Sequence, residues 1–154
     1  MKKVLIVYFS LTGNTEKMAE FIAEGVRFSG NQAATKKISE LKTADVLNGY
    51  DGYIFGCPTY FQDVAEPMKT FLFLARKASL KGKLGGSFGA YTHDVGYTPS
   101  GNAAAIIFET MQYVYKMEPF ELGPLKLKEP LIGETEGMRT CQDYGKAFGQ
   151  KLGS

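Results

Sequence analysis

The sequence predicts an α/β fold in which a doubly wound, five-stranded parallel sheet carries helices on both faces. Strand-like and helix-like segments alternate along its 154 residues, as in chains whose parallel strands are joined by crossover helices. Residues 4–9 and 51–57 are nearly continuous apolar runs, typical of strands buried on both faces. Long polar segments follow several of these strands, which is where such folds bind ligands.

The first half of the chain supplies three strands and one helix. The strand at residues 4–9 is followed by a helix over 15–28, because Met18, Ile22 and Val26 recur every four residues. Residues 32–38 form a weaker strand near an edge of the sheet, and Pro58 stops the strand at 51–57.

The second half adds two strands and further helices. Pro67 suits the first turn of a helix whose apolar face follows at helical spacing. A glycine-rich strand at 84–91 permits close helix approach, and Pro124 marks 120–127 as an edge or bulged strand. Helices are predicted through 104–115 and 136–152. The total is five strands and four or five helices, and without repeat or linker we expect one domain, residues 1–154.

Composition and charge exclude several classes of protein. A net charge of +2 without a long basic cluster argues against a nucleic-acid partner. No apolar run approaches the ~20 residues that cross a bilayer, so we expect no membrane partner. Met1-Lys2-Lys3 leads directly into the first strand without a signal pattern, and a cytoplasmic location is therefore expected.

The cysteines and the histidine do not predict a metal site. Cys57 and Cys141 are too far apart for a CxxC motif or a zinc set, so we expect free thiols. His93 is the one histidine in the sequence and has no neighbouring set of metal ligands.

The segment between the first strand and the first helix has the composition of an anion-binding loop. Its residues are Ser10, Leu11, Thr12, Gly13, Asn14 and Thr15. Main-chain N–H groups converge at a helix N-terminus, where the helix dipole favours an anion, and glycine permits the bend. The loop lacks the lysine of a GxxxxGK[ST] motif and the glycines of GxGxxG, so it suits one terminal phosphate held without metal. The same letters are also typical of a turn with a helix cap, and the motif alone leaves both interpretations open.

Two further loops are predicted at the same edge of the sheet. Residues 58–67 and 91–101 follow the third and fourth strands, and both exceed the usual ~2–6 residues. They carry aromatic side chains that we expect to be exposed and to stack on the faces of a flat conjugated ring. These are Tyr60, Phe61, Tyr91 and Tyr97.

Two of these segments resemble those of one family. Residues 10–15 resemble the [ST]xTGxT phosphate loop of the flavodoxin family. The stretch "GCPTYFQDVAEPMKTFL" is similar to a segment shared by the flavodoxin-like domains of flavodiiron proteins and by WrbA-type quinone reductases. The resemblance spans nearly the whole chain, and it implies a sheet of order 2-1-3-4-5 with FMN as cofactor.

The resemblance also implies which residues bind FMN. The phosphate would be held by Ser10, Leu11, Thr12, Gly13, Asn14 and Thr15. The ring would lie between two sets, with Pro58, Thr59, Tyr60, Phe61, Gln62 and Asp63 on one side and Tyr91, Thr92, His93, Asp94, Gly96 and Tyr97 on the other. No residue is assigned a catalytic role.

The sequence departs from the family pattern beside the ring. Gln62-Asp63 stands where the family usually has Gly-Asn, so a peptide flip that stabilises the one-electron-reduced flavin is expected to be less favourable here. Asp63, Glu66 and Asp94 are expected to form an acidic rim that lowers the flavin potential.

The leading functional interpretation is an FMN-dependent electron carrier between redox partner proteins, monomeric and without acid–base catalysis. The alternative is an FMN-dependent NAD(P)H reductase of quinones or small molecules, in which His93 or Tyr97 donates a proton. A flavin-free receiver-type module is a third interpretation, but residues 10–15 lack its clustered aspartates.

Overall fold

A computed structural model of the chain describes residues 1–60, 63–92 and 102–153. Five strands form a parallel sheet, and two short ones form a separate antiparallel hairpin. In chain order the strands of the described ranges are β1 (Lys3–Tyr8), β2 (Gln32–Lys37), β3 (Gly52–Gly56), β4 (Thr59–Tyr60), β5 (Asp63–Val64), β6 (Leu84–Tyr91) and β7 (Glu118–Lys128). The order in the sheet is β2-β1-β3-β6-β7, and β4 pairs with β5. Among the five sheet strands this is the predicted order 2-1-3-4-5, which is confirmed.

Helices cover both faces of the sheet. The α-helices of the described ranges are α1 (Asn14–Phe28), α2 (Glu66–Ala75), α3 (Asn102–Glu109), α4 (Glu129–Ile132) and α5 (Thr135–Gly153). Because successive side chains of a strand alternate between faces, Val4 and Ile6 of β1 pack in the core beneath α1 and α5. Leu5 and Val7 pack in the opposite core, beneath α2 and α3. The doubly wound α/β class predicted from the sequence is therefore confirmed.

Most predicted elements differ from the observed ones by only a few residues at their ends. The edge strand β7 contains the expected irregularity, since Gly85 pairs with Pro119 but Ser87 pairs with Pro124. Several features were not predicted. The β4–β5 hairpin lies inside a segment expected to be a loop, and a π-helical turn, Thr110–Val114, extends α3. The short helix α4 and two 3-10 helices, Ile38–Glu40 and Ala44–Leu47, were also not predicted. No helix in the described ranges combines the length and apolarity needed to span a membrane.

The main chains of helices α1 and α5 are in direct contact. A Cβ atom built on Gly25 would lie 1.9 Å from the carbonyl oxygen of Gln142, and one built on Gly145 would lie 2.0 Å from that of Ile22. Only glycine allows such an approach. The contact fixes the axis of α1, and with it the position of the helix N-terminus.

We expect Gly145→Ala to destabilise the fold by roughly 1–3 kcal/mol or more, because the new methyl group would overlap a main-chain carbonyl that cannot rotate away. Urea unfolding measures the change. Gly133→Ala is the matched control, since an added Cβ there meets nothing within 4 Å and φ is −80°. An unchanged midpoint for Gly145→Ala would show that the two helices are not in main-chain contact.

Stability should fall in alkaline solution because two thiols are buried. Burial raises the pKa of Cys57 and of Cys141 from 9.0 to about 12. The folded state therefore keeps protons that the unfolded chain releases, and stability present below pH 9 is lost as the pH rises towards 12. In that window each thiol lowers the free energy of unfolding by about 1.4 kcal/mol per pH unit.

Urea unfolding of the wild type and of a Cys57→Ala, Cys141→Ala variant between pH 8 and 10.5 checks this slope. The variant should have a shallower slope but not a flat one, because burial also raises the pKa of Tyr115 and of Tyr144. Equal slopes would mean that the thiols titrate alike in the folded and unfolded states.

Candidate functional site

The ends of three central strands bring the predicted loops together. In the register of the sheet Tyr8 is opposite Gly56, and Gly56 is opposite Phe88. The pairing continues just beyond β3 and β1, because Cys57 N–H donates to Phe88 O at 3.3 Å and Phe9 N–H to Gly56 O at 3.1 Å. The segments that follow β1, β3 and β6 therefore leave the sheet side by side at its carboxyl edge.

The loop between β1 and α1 is closed by its own hydrogen bonds. Gly13 adopts a left-handed conformation, with φ 90° and ψ −8°, and donates its N–H to Ser10 Oγ at 3.1 Å. The first bond of α1 runs from Lys17 N–H to Gly13 O at 3.0 Å. The N–H groups of the preceding turn have no intrahelical partner and are available to an anion.

The side chains of this loop have different exposures. Thr12 is exposed and accepts a hydrogen bond from Asn14 Nδ2 at 3.4 Å, whereas Thr15 is only 1% exposed. Leu11 is 70% exposed, so its contribution to a bound group would come from its main chain. Asn14 and Thr15 belong to the first turn of α1, which begins one residue earlier than the sequence indicates.

The β4–β5 hairpin presents the second set of predicted residues. Thr59 pairs with Val64 and Tyr60 with Asp63. Pro58, buried at the base, accepts a hydrogen bond from Cys57 Sγ, and Thr59 Oγ1 accepts one from Ala103 N–H of α3 at 3.3 Å. The hairpin is thus attached both to the end of β3 and to the start of α3.

Tyr60 and Tyr91 are partly buried instead of exposed as the sequence indicates. Burial raises the pKa of Tyr60, and negative charge on Cys57 or Glu129 acts in the same direction. Tyr91 is the last residue of β6, and Thr92 beyond it is exposed.

Asp63 is paired with a lysine of the neighbouring helix. Lys69 Nζ of α2 lies 2.6 Å from Asp63 Oδ2, and Val64 N–H donates to Asp63 Oδ1 at 2.7 Å. The hydrogen bond from Lys69, followed by that from Val64, lowers the pKa of Asp63. Glu66 is the first residue of α2 and not part of a loop. The described part of the expected acidic rim is therefore less negative than the sequence indicates.

Six of the predicted ring-flanking residues lie outside the described ranges. They are Phe61, Gln62, His93, Asp94, Gly96 and Tyr97.

The sequence interpretation missed Lys69 and Glu129. Helical side chains point towards the helix N-terminus, so a lysine in the first turn of α2 was the available signal for a partner of Asp63. Glu129 begins α4 directly after β7 and so lies at the same edge of the sheet. The sequence pattern placed only the segments after the first, third and fourth strands at this edge.

The residues present suit a phosphate ester. An added Cβ on Gly13 would meet no atom within 4 Å, so the bend of the loop opens onto free space. The loop residues supply hydroxyl groups and main-chain N–H groups, a donor set for an anion and not for a metal ion. The described ranges also contain no group of three His, Cys, Asp or Glu side chains that could hold a metal.

Comparisons with known proteins identify the same family. The family model described as Flavodoxin matches residues 6–112. A flavodoxin from Maridesulfovibrio salexigens is 39% identical over 100 residues, which cover 63% of this chain and 68% of that protein. A protein named NAD(P)H dehydrogenase (quinone) from Gluconacetobacter diazotrophicus is 37% identical over 111 residues, with 57% and 56% covered.

A solved structure agrees over almost the whole chain. Oxidised Flavodoxin 1 from Bacillus cereus superimposes with a TM-score of 0.79 at 30% identity and covers 95% of this chain and 96% of its own. The curated relatives are matched over about half to two thirds of their length.

The matched region contains both the phosphate-loop segment and the hairpin segment on which the resemblance was based. The predicted FMN cofactor and electron-transfer function are confirmed with the family. The chain belongs to the flavodoxin family.

Proposed function

We propose that residues 1–154 form one FMN-binding domain that carries electrons between redox proteins. The observation that supports this most strongly is the loop at the start of α1, in which Gly13 is left-handed and donates its N–H to Ser10 Oγ. This bend lies directly before a helix N-terminus, where unpaired main-chain N–H groups favour an anion. FMN supplies the redox chemistry. The protein binds the phosphate, orients the ring and sets its electrostatic surroundings.

The phosphate would be bound without a cationic side chain. Ser10 Oγ already accepts one bond from Gly13, so its own hydrogen is free to donate outward. Thr12 and Thr15 add hydroxyl donors, Leu11 and Asn14 contribute main-chain N–H groups, and Gly13 provides the bend. Charge-assisted hydrogen bonds of this kind are stronger than neutral ones, and the α1 dipole adds to them.

The ring would lie between the hairpin and the segment that begins at Tyr91. On the first side are Pro58, Thr59, Tyr60, Phe61, Gln62 and Asp63, and on the second are Tyr91, Thr92, His93, Asp94, Gly96 and Tyr97. The first side is held on two helices, through Thr59 to α3 and through Asp63 to α2. These attachments support a hairpin that keeps its position when the ring binds.

The remaining parts of the proposal concern the partners and the setting. We propose a monomer that works in the cytoplasm, with proteins as electron donors and acceptors and with neither nucleic acid nor membrane as partner. A net charge of +2 without a long basic cluster is consistent with protein partners.

Loss of the loop hydroxyls should weaken FMN binding but not riboflavin binding. Thr12→Ala combined with Thr15→Val removes two hydroxyls, and valine keeps the volume of the buried Thr15. Because bonds to a charged group contribute about 1.5–3 kcal/mol each, the Kd of FMN should rise at least about tenfold. Fluorescence titration of the apoprotein measures both ligands. Riboflavin, which lacks the phosphate, should change by less than about twofold.

Thr140→Val on α5 is the matched control, because it removes a hydroxyl that donates only to Glu136 O of the same helix. Equal FMN affinity of the wild type and the loop variant would place the phosphate elsewhere. Parallel losses for FMN and riboflavin would indicate a general change of the apoprotein and not a phosphate site.

A carrier and a reductase differ in their use of NAD(P)H. With NADH or NADPH and a quinone, the FMN-loaded protein should turn over far below the roughly 10 s⁻¹ typical of enzymes. Dithionite should still reduce its flavin, and the reduced protein should pass electrons to cytochrome c. Absorbance of NAD(P)H and of cytochrome c reports the two reactions. Rapid NAD(P)H-dependent quinone reduction would establish the reductase instead.

A further inference from the structure

An apolar groove runs between α2 and the helix formed by α3 and its π-helical extension. We call it the α2–α3 groove. Its volume is about 330 Å³. Its lining residues are Val64, Lys69, Leu72, Phe73, Arg76, Ile106, Thr110, Val114 and Tyr115.

The groove exposes large apolar side chains. Phe73 is 71% exposed and Val114 is 53% exposed, although both lie beside other apolar groups. The hydroxyl groups in the lining are already bonded within the groove wall: that of Tyr115 donates to Leu72 O, and that of Thr110 donates to Ile106 O at 2.8 Å. A ligand therefore meets an apolar floor, and clustered exposed apolar surface is typical of an interaction site.

The charged side chains that line the groove are all cationic. Its lining includes two cations, Lys69 and Arg76, and no carboxylate. Lys69 is paired with Asp63, while Arg76 is exposed and forms no ion pair within the described part of the chain. Lys77, also exposed, follows Arg76. Such a surface is complementary to an apolar side chain surrounded by carboxylates.

The groove is continuous with the hairpin that we place beside FMN. Val64 of β5 lines the groove, and its strand partner Thr59 accepts a hydrogen bond from α3. Tyr60, on the same hairpin, pairs with Asp63. A protein seated in the groove would therefore contact the hairpin.

We propose that the α2–α3 groove docks an acidic redox-partner protein, which inserts an apolar side chain beside Phe73 and places carboxylates against Arg76. Each encounter passes one electron from the reduced centre of the partner to the flavin. The proposal rests on the proposed function and names the chemistry of its partner. A second copy of this chain fits the groove poorly, because a symmetric contact would bring Lys69, Arg76 and Lys77 of both copies together.

The test uses an acidic plant-type [2Fe–2S] ferredoxin, reduced photochemically, as donor to the oxidised, FMN-loaded protein. Stopped-flow absorbance gives the second-order rate constant. Phe73→Ser and Arg76→Glu should each lower this constant at least tenfold at 50 mM salt. The matched controls Phe28→Ser on α1 and Arg139→Glu on α5 change exposed residues on the opposite face of the sheet and should stay within twofold. FMN affinity and thermal unfolding of all four variants should equal those of the wild type.

Two comparisons define the partner. With basic cytochrome c as acceptor, Arg76→Glu should leave the rate unchanged or raise it. An equal slowing with both proteins would overturn the preference for an acidic partner. Sedimentation should show that the wild type does not self-associate through this surface. A dimer that Phe73→Ser abolishes would make a second copy the occupant and overturn the proposal.

A second measurement does not depend on FMN. Gallium-substituted ferredoxin, which is diamagnetic, should shift the amide NMR signals of Lys69, Phe73, Arg76 and Val114 in the flavin-free and the flavin-loaded protein alike. Shifts confined to other surfaces would overturn the proposal. If the protein failed to bind FMN, the proposed function would be wrong. The amide NMR shifts of the flavin-free protein would still show where the ferredoxin docks.

Discussion

The main-chain contact between α1 and α5 is the constraint on which the phosphate loop depends. An anion site at a helix N-terminus works only if the helix is fixed relative to the strand that precedes it. Gly25 and Gly145 let the two helices approach until carbonyl groups of one lie where a Cβ of the other would be. The axis of α1 is thereby set over β1. The loop between them can then close with the bond from Gly13 N–H to Ser10 Oγ.

The hairpin beside the proposed ring site is fixed differently, by side chains from two helices. Thr59 attaches it to α3, and the ion pair of Asp63 with Lys69 attaches it to α2. The second attachment also changes the electrostatics, because a compensated carboxylate opposes electron uptake by a nearby flavin less than a free one. Since Lys69 and Asp63 are both substantially exposed, solvent screens this pair, and its main effect is on position and local charge.

The sequence predicted the sheet because its central strands are apolar on both faces, and Pro124 predicted the irregular edge strand. The hairpin escaped prediction because two-residue strands are too short to show a period. The ion pair of Lys69 with Asp63 was not predicted, because it depends on how α2 packs against the hairpin, and a local sequence pattern does not contain that information. The bend between β1 and α1 was predicted from its residue types, although the first helical turn starts at Asn14, and its role in binding phosphate stays a proposal. The partial burial of Tyr60 and Tyr91 depends on neighbours distant in sequence, such as Glu129 for Tyr60.

Helix α2 connects the hairpin with the proposed docking groove. Lys69, in its first turn, compensates Asp63 on the hairpin, whereas Phe73 and Arg76 lie one and two turns further along the same groove. A partner that brings carboxylates to Arg76 also brings them close to Lys69, where they compete with Asp63 for the same ammonium group. In the proposed complex, docking and the charge beside the proposed ring site are therefore coupled through one side chain.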